Sequence, residues 1–286
     1  MVKTMIICPT CKKNGNIEIS TEPINNSLSG VISVNIAKDI ICEHSFIAYI
    51  DKNLNIRGYF ATDFQIEIPE LPLSEKDFKT KIPKEEIIDL DLIKLNIPPI
   101  LLVYILKSIF SKKKIVLIFE QEFLYNQIYN FFNYITKNSF NTNISIITEK
   151  KYKSNKKNYK DAMVFKNAEI IRNVNKTIDL KKLKVEKQII HNFITESDLD
   201  YSYIRLKSDI QKSYEFSKKI MKLLEDYKNS EGKREIGKKE LSDMLAEKIE
   251  IKLSIYYIEF LLEILENYFK YDLSIVSELA FPAFGI

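Results

Sequence analysis

Three cysteines and two histidines are the only thiols and imidazoles in this chain of 286 residues. Four of these five residues lie in its first 44 positions, in the pattern Cys8-x2-Cys11 followed by Cys42-x-His44. Zinc takes four sulfur and nitrogen ligands in a tetrahedron, and this set offers three thiolates and one imidazole. The Pro9-Thr10 spacer lets both thiolates of the first pair turn inward, where amides of the turn can donate to sulfur. Lys12 and Lys13 follow and partly offset the thiolate charge. The second pair has a one-residue spacer. On an extended strand, positions i and i+2 face the same side, so Cys42 and His44 meet one ion while Glu43 points away. Four protein ligands close the sphere, which makes the expected cofactor a structural zinc and leaves no position for catalytic water.

Other accounts of these residues stay open. Cys42 follows Ile40-Ile41 and would serve as a small buried hydrophobe. His44 would serve as a strand-end residue bonded to backbone. Cys8-x2-Cys11 would serve as a redox pair, although no thioredoxin-like strand and helix follow it. A ribbon that has lost its metal is a further account.

The elements that must position the four residues are strands. NIEIS, GVISVNI, SFIAYI and TDFQIEI alternate apolar and polar residues with period two. Turn chemistry separates them, at Lys13-Asn14-Gly15, Asn25-Asn26, Asp51-Lys52-Asn53 and Arg57-Gly58. Residues 1–68 therefore read as a small antiparallel zinc-ribbon-like β module, in which a metal cross-link supplies stability that so few strands lack. IPELPLSEKDFKTKIPKEE holds three prolines and alternating charge, so residues 69–96 read as a linker.

Residues 97–228 read as an α/β domain with long helices. Pro98-Pro99 starts a helix through ILLVYILKSIF, and KIVLIFE is a continuous apolar run suited to a strand buried on both faces. EFLYNQIYNFFNYITKN returns to helical spacing, NISIIT is a second strand, and DAMVF with AEIIR forms a hairpin. Leu180, Leu183, Ile190, Phe193 and Ile194 make one helical stripe, and Ser197 with Asp200 marks the next helix start. Residues 229–286 read as a helical region containing KKELSDMLAEKI and SIYYIEFLLEILENYF. The fold class is thus mixed α+β and α/β: the β module, a central sheet with packed helices, and a helical C-terminal region.

Charge and absent motifs limit the function classes. A net charge of +4 over this length does not by itself call for nucleic acid. No phosphate-cradling G-x4-G-K-[ST] or G-x-G-x-x-G occurs, nor a G-x-S-x-G or H-E-x-x-H. Asp89 with Asp91, and Glu120 with Glu122 after KIVLIFE, are the carboxylate pairs; the latter stand where open α/β sheets bind ligands, but helix-start charge explains them better. His191 sits within an apolar helical stripe and reads as a boundary residue. No catalytic residue is assigned; the non-enzymatic reading is preferred, with an enzyme whose cleft lies at Glu120 and Glu122 kept as a rival.

One basic segment remains, EKKYKSNKKNYK. Lys150, Lys151, Lys153, Lys156, Lys157 and Lys160 outnumber Glu149, with Tyr152 and Tyr159 interleaved. A flexible loop of this kind would track a phosphate backbone, or it is a solvated loop between strands. Residues 237–286 carry five lysines against nine acids, which disfavours DNA reading by the last two helices. The odd cysteine count suits a reducing compartment, no secretory signal is visible, and the apolar stretch at IPPILLVYILKSIF is short of a span. The expected location is cytoplasmic.

CPTC near the start, followed by ICEHSFIAYIDKNLNIRGY, resembles N-terminal modules of uncharacterised archaeal proteins from the Asgard group over residues 6–68. That resemblance implies a zinc-ribbon-like module and no particular activity. IPPILLVYILKSIFSKKKIVLIFEQEFL is similar in order to DENN-type modules, which act on small GTPases. The reading is an intracellular protein-interaction or regulatory module with a structural zinc and a protein partner. The alternatives are a transcription- or RNA-associated zinc-ribbon protein and, by the DENN-type similarity, a regulator of small GTPases.

Overall fold

The computed structural model describes residues 2–20, 30–62, 68–69, 88–231, 235–249 and 252–277. Within them the chain is a mixed α/β protein with N-terminal antiparallel sheets, a central mixed sheet and a helical C-terminal region.

Strands β1 (Val2–Ile7) and β2 (Asn14–Ile19) form an antiparallel hairpin. Strands β3 (Val31–Ile36), β4 (Phe46–Asp51) and β5 (Ile56–Ala61) form a separate antiparallel sheet in chain order. The two-residue alternation of β4 sorts its side chains onto opposite faces. Phe46, Ala48 and Ile50 join Ile36 in a core shared with Ile6, Cys8 and Ile19 of the hairpin. Tyr49 joins Val31 and Phe60 in the main core of the body. Asp51 builds the β4–β5 turn: its carboxylate accepts the N–H groups of Asn53 and Asn55, each at 2.8 Å, and pairs with Arg57. Burial alone would raise the Asp51 pKa, but Asn55 and the Arg57 guanidinium hold it below the ordinary carboxylate range.

The body begins with α1 (Leu90–Asn96) and α2 (Pro99–Phe110). It continues with β6 (Lys114–Ile118), α3 (Tyr125–Ile135), β7 (Ile144–Ile147), α4 (Glu149–Ser154), β8 (Ala162–Lys166) and β9 (Glu169–Arg172). The sheet order is β7-β6-β8-β9, with β6 parallel to both neighbours and β9 antiparallel to β8. As the unbroken apolar run predicts, β6 is central and buried on both faces. Ile115 and Leu117 face the main core, while Val116 and Ile118 face Tyr152 from α4. Every residue of α2 except Ile100 is buried, Lys107 and Ser108 included, so its largely apolar sequence reflects a place inside the core. Among the described residues no single helix is long and apolar enough to cross a membrane.

Helices α5 (Lys184–Thr195) and α6 (Leu199–Glu231), strand β10 (Ile236–Gly237), helices α7 (Lys238–Ile249) and α8 (Ile255–Ile264), and strand β11 (Val276–Ser277) complete the chain. Several local expectations are corrected. Of the stretch read as a linker, Leu90–Asn96 is helical, capped by the Asp89 carboxylate, which accepts the Leu92 N–H at 3.0 Å. Residues 70–87 of it lie outside the described residues, as do Asn25-Asn26 and most of TDFQIEI. Arg57 and Gly58 belong to β5, not to a turn, and a Cβ on Gly58 would come within 3.1 Å of Pro99. The cap of α6 is Asp198, accepting the Tyr201 N–H at 2.9 Å, one residue after Ser197.

A buried ion cluster joins three helices of the body. Lys107 of α2 is 2% exposed, and its ammonium lies 3.4 Å from Glu186 of α5 and also pairs with Glu263 of α8. Burial would lower the Lys107 pKa, yet the two carboxylates raise it, while burial raises that of Glu186. Removing one partner strands a buried charge. Lys107→Met is expected to cost about 3–5 kcal/mol of unfolding free energy, and Glu186→Leu added to it to restore most of that loss. Guanidinium titration of the three proteins checks this; a single-variant loss below about 1 kcal/mol would contradict it.

Candidate metal centre

The first ligand pair occupies the hairpin loop between the register partners Ile7 and Asn14. The Cys8 N–H donates to the Lys13 carbonyl at 2.8 Å, and the Lys12 N–H donates to the Cys8 carbonyl at 3.0 Å. Lys12 takes a left-handed φ of 64°, which closes the loop tightly. The second pair lies in the connection from β3 to β4. There the Asp39 N–H donates to the Cys42 carbonyl at 2.8 Å, and Asp39 has φ 71°. Cys42 and His44 therefore sit on a bend ahead of β4, not on an extended strand as the spacing suggests. The bend brings the Cys42 sulfur to 3.7 Å from Nδ1 of His44.

Two contacts seat the hairpin on the sheet. A Cβ built on Gly15 would meet Ile41 at 3.1 Å, so the absent side chain permits the close approach of β2 to the residue before Cys42. The Ile7 N–H donates to the Tyr59 hydroxyl at 3.0 Å, and the Tyr59 ring stands edge-on to Phe46 with centroids 6.0 Å apart.

The result is a converged ligand set. The ligand atoms of Cys8, Cys11, Cys42 and His44 all lie within 4.8 Å of one another. A tetrahedron with metal–sulfur bonds of about 2.3 Å has edges of about 3.8 Å, so closing on an ion needs at most about 1 Å of contraction. Cys8 is buried, Cys42 and His44 are half-buried, and Cys11 is exposed. Burial would raise the Cys8 thiol, but the backbone of Cys11 and Thr10 and the neighbouring thiols bring it down to about 7. Cys42 moves the other way, to about 11: the main chain of His44 lowers it, while burial and its place beside Cys8 and Cys11 raise it. Cys8 thus carries negative charge easily, while Cys42 resists joining it unless a cation offsets the charge.

The remaining sequence-derived candidates are not brought together. The lysine segment is helix α4 followed by a 3-10 turn (Lys156–Tyr159), not a flexible loop. Its six lysines are exposed, and Lys153 pairs with Glu149 at 2.9 Å. Tyr152 and Tyr159 turn inward and stack on each other, 6.0 Å apart, so they offer no open platform to bases. Glu120 accepts the Glu149 N–H at 2.9 Å, and Glu149 in turn pairs with Lys166 at 2.7 Å. These strand-end charges are spent on one another. Asp89 and Asp91 belong to the start of a helix and share no extended face. His191 of α5 receives a different role: its Nδ1 lies 2.7 Å from the Tyr49 hydroxyl and links the N-terminal sheet to the body.

No protein-family model matches this chain, and neither does any curated protein or solved structure. The site thus stands on its own geometry, as a group of three cysteines and a histidine able to hold a metal ion.

Two predictions follow from this packing. Gly15→Val should push β2 away from Ile41 and weaken metal binding, read as a rise in Kd in competition with a chromophoric chelator; an unchanged Kd would show that the approach is not needed. Burial lowers the His191 pKa, so the folded chain resists a proton that the unfolded chain accepts below pH ~6.5. Stability contributed by neutral His191 is present above that pH and is lost as pH falls through its folded pKa. The stability difference between the natural chain and His191→Gln should therefore narrow between pH ~7.5 and ~5, and a constant difference would refute the role.

Proposed function

We propose that this protein is a binding protein of a reducing compartment, whose N-terminal strands are held by a structural zinc in a zinc-ribbon-like arrangement. The convergence of four soft ligand atoms within 4.8 Å carries the reading. Thiolate-rich sets favour zinc over hard cations, and a set of four closes the sphere. All three cysteines are free thiols, which fits a reducing environment. The zinc would replace the core that two six-residue strands cannot build alone. The proposed partner is a protein, and exposed apolar residues of the body such as Leu180, Ile255 and Tyr256 support that reading.

A second reading, nucleic-acid binding, draws on the exposed lysines of α4. The inward stacking of Tyr152 and Tyr159 counts against it.

Elemental mass spectrometry of chain purified without chelator tests the metal. About one zinc per chain is expected, with loss of zinc and of N-terminal amide protection in a Cys8→Ser, Cys11→Ser variant. Absence of zinc from the natural chain would overturn the reading. Neutralising Lys150, Lys151, Lys156 and Lys157 to Gln should leave oligonucleotide mobility shifts unchanged; a salt-sensitive shift that these changes abolish would establish the second reading instead.

A further inference from the structure

A groove of about 620 Å³ runs between the 3-10 turn Leu180–Lys182 with the start of α5 on one side and α8 on the other. Its floor is apolar, with Val185, Phe260 and Leu273. One wall carries Lys181, Lys182 and Lys184. The opposite wall carries Glu259, Glu263 and Glu266, but two of these are already matched: Glu259 pairs with Lys238 at 2.8 Å, and Glu263 pairs with the buried Lys107. None of the three wall lysines has an ion-pair partner among the described residues. The mouth is apolar as well. Tyr256 lines it and is 57% exposed, with the Lys184 ammonium 4.6 Å from the Tyr256 ring centroid.

We propose that this groove docks an extended acidic peptide segment of a partner protein. The charge pattern selects that occupant. In an extended segment, alternate side chains point to opposite sides, so carboxylates can meet the lysine wall while apolar residues fill the floor and cover Tyr256. Three unmatched ammonium groups against the single free carboxylate of Glu266 favour an anionic ligand. A nucleic acid fits worse, because its uniform phosphates would also run past the glutamate wall. The proposal deepens the binding-protein reading by giving its partner a chemistry, and it does not depend on the metal.

Fluorescence polarisation with the zinc-supplemented full chain tests it. The probe is a short fluorescein-labelled peptide of alternating Glu and Leu, with the Lys-for-Glu peptide as control. The expected result is saturable binding of the acidic peptide only, weakened by added salt, about 10-fold weaker in Lys181→Glu, Lys182→Glu and also weakened in Tyr256→Ala. Binding that survives both variants would place the peptide elsewhere and overturn the proposal. Absence of binding would overturn it too. A chain that binds the peptide but holds no zinc would refute the metal staple alone, so the two readings fail separately.

Discussion

Burial of β4 on both of its faces is the constraint on which the rest of the N-terminal half depends. Phe46, Ala48 and Ile50 need a cover on one side, and the β1–β2 hairpin supplies it. Tyr49 needs a cover on the other side, and α5 supplies it through His191 while Phe60 packs edge-on at 5.2 Å. The sheet is thereby clamped between a light hairpin and a heavy helical body. The hairpin side is the weaker: a two-stranded ribbon in water is marginal without further support. The cysteine–histidine cluster stands between the two sheets, with Cys8 and Cys11 in the hairpin loop and Cys42 and His44 on the bend that leads into β4.

The body solves a different problem. Its central helix α2 is apolar but for Lys107 and Ser108, its central strand β6 is apolar after Lys114, and other elements enclose both. Lys107, Glu186 and Glu263 form one ion cluster in this core, where each ion has an opposite neighbour; Lys94 is buried over the Phe193 ring, and the buried Asp209 lies 3.3 Å from Lys212. The same cluster holds Glu263 at the edge of the α5–α8 groove. A glutamate engaged inward no longer opposes an anion at the groove, so the interior pairing sets the charge that the surface presents.

The strand-end charges show the same economy of pairing. Glu120, Glu149 and Lys166 gather at the carboxyl ends of the parallel strands, a place where α/β sheets often hold ligands. Here they cap α4 and neutralise one another. The lysines of α4 behave as a solvated face above two tyrosines that belong to the core.

Much of this was legible in the residues alone. The four clustered Cys and His residues, strands β2, β3 and β4, the buried run of β6, the β8–β9 hairpin and helices α7 and α8 follow from local spacing and period, which a sequence displays directly. Strands β1 and β5 were not, since VKTMII and IRGYFA owe their pairing to neighbours rather than to a clean alternation. The inward turn of Tyr152 and Tyr159, the role of His191 and the Lys107 cluster were also hidden, because each depends on residues far apart in the chain. Gly15 offered a signal, a glycine beside the first ligand pair, but its meaning required Ile41 opposite it. Ligand identity is a property of side chains, and the sequence states it; convergence is a property of two separate turns with left-handed residues at Lys12 and Asp39, and only their packing across Gly15 and Tyr59 decides it.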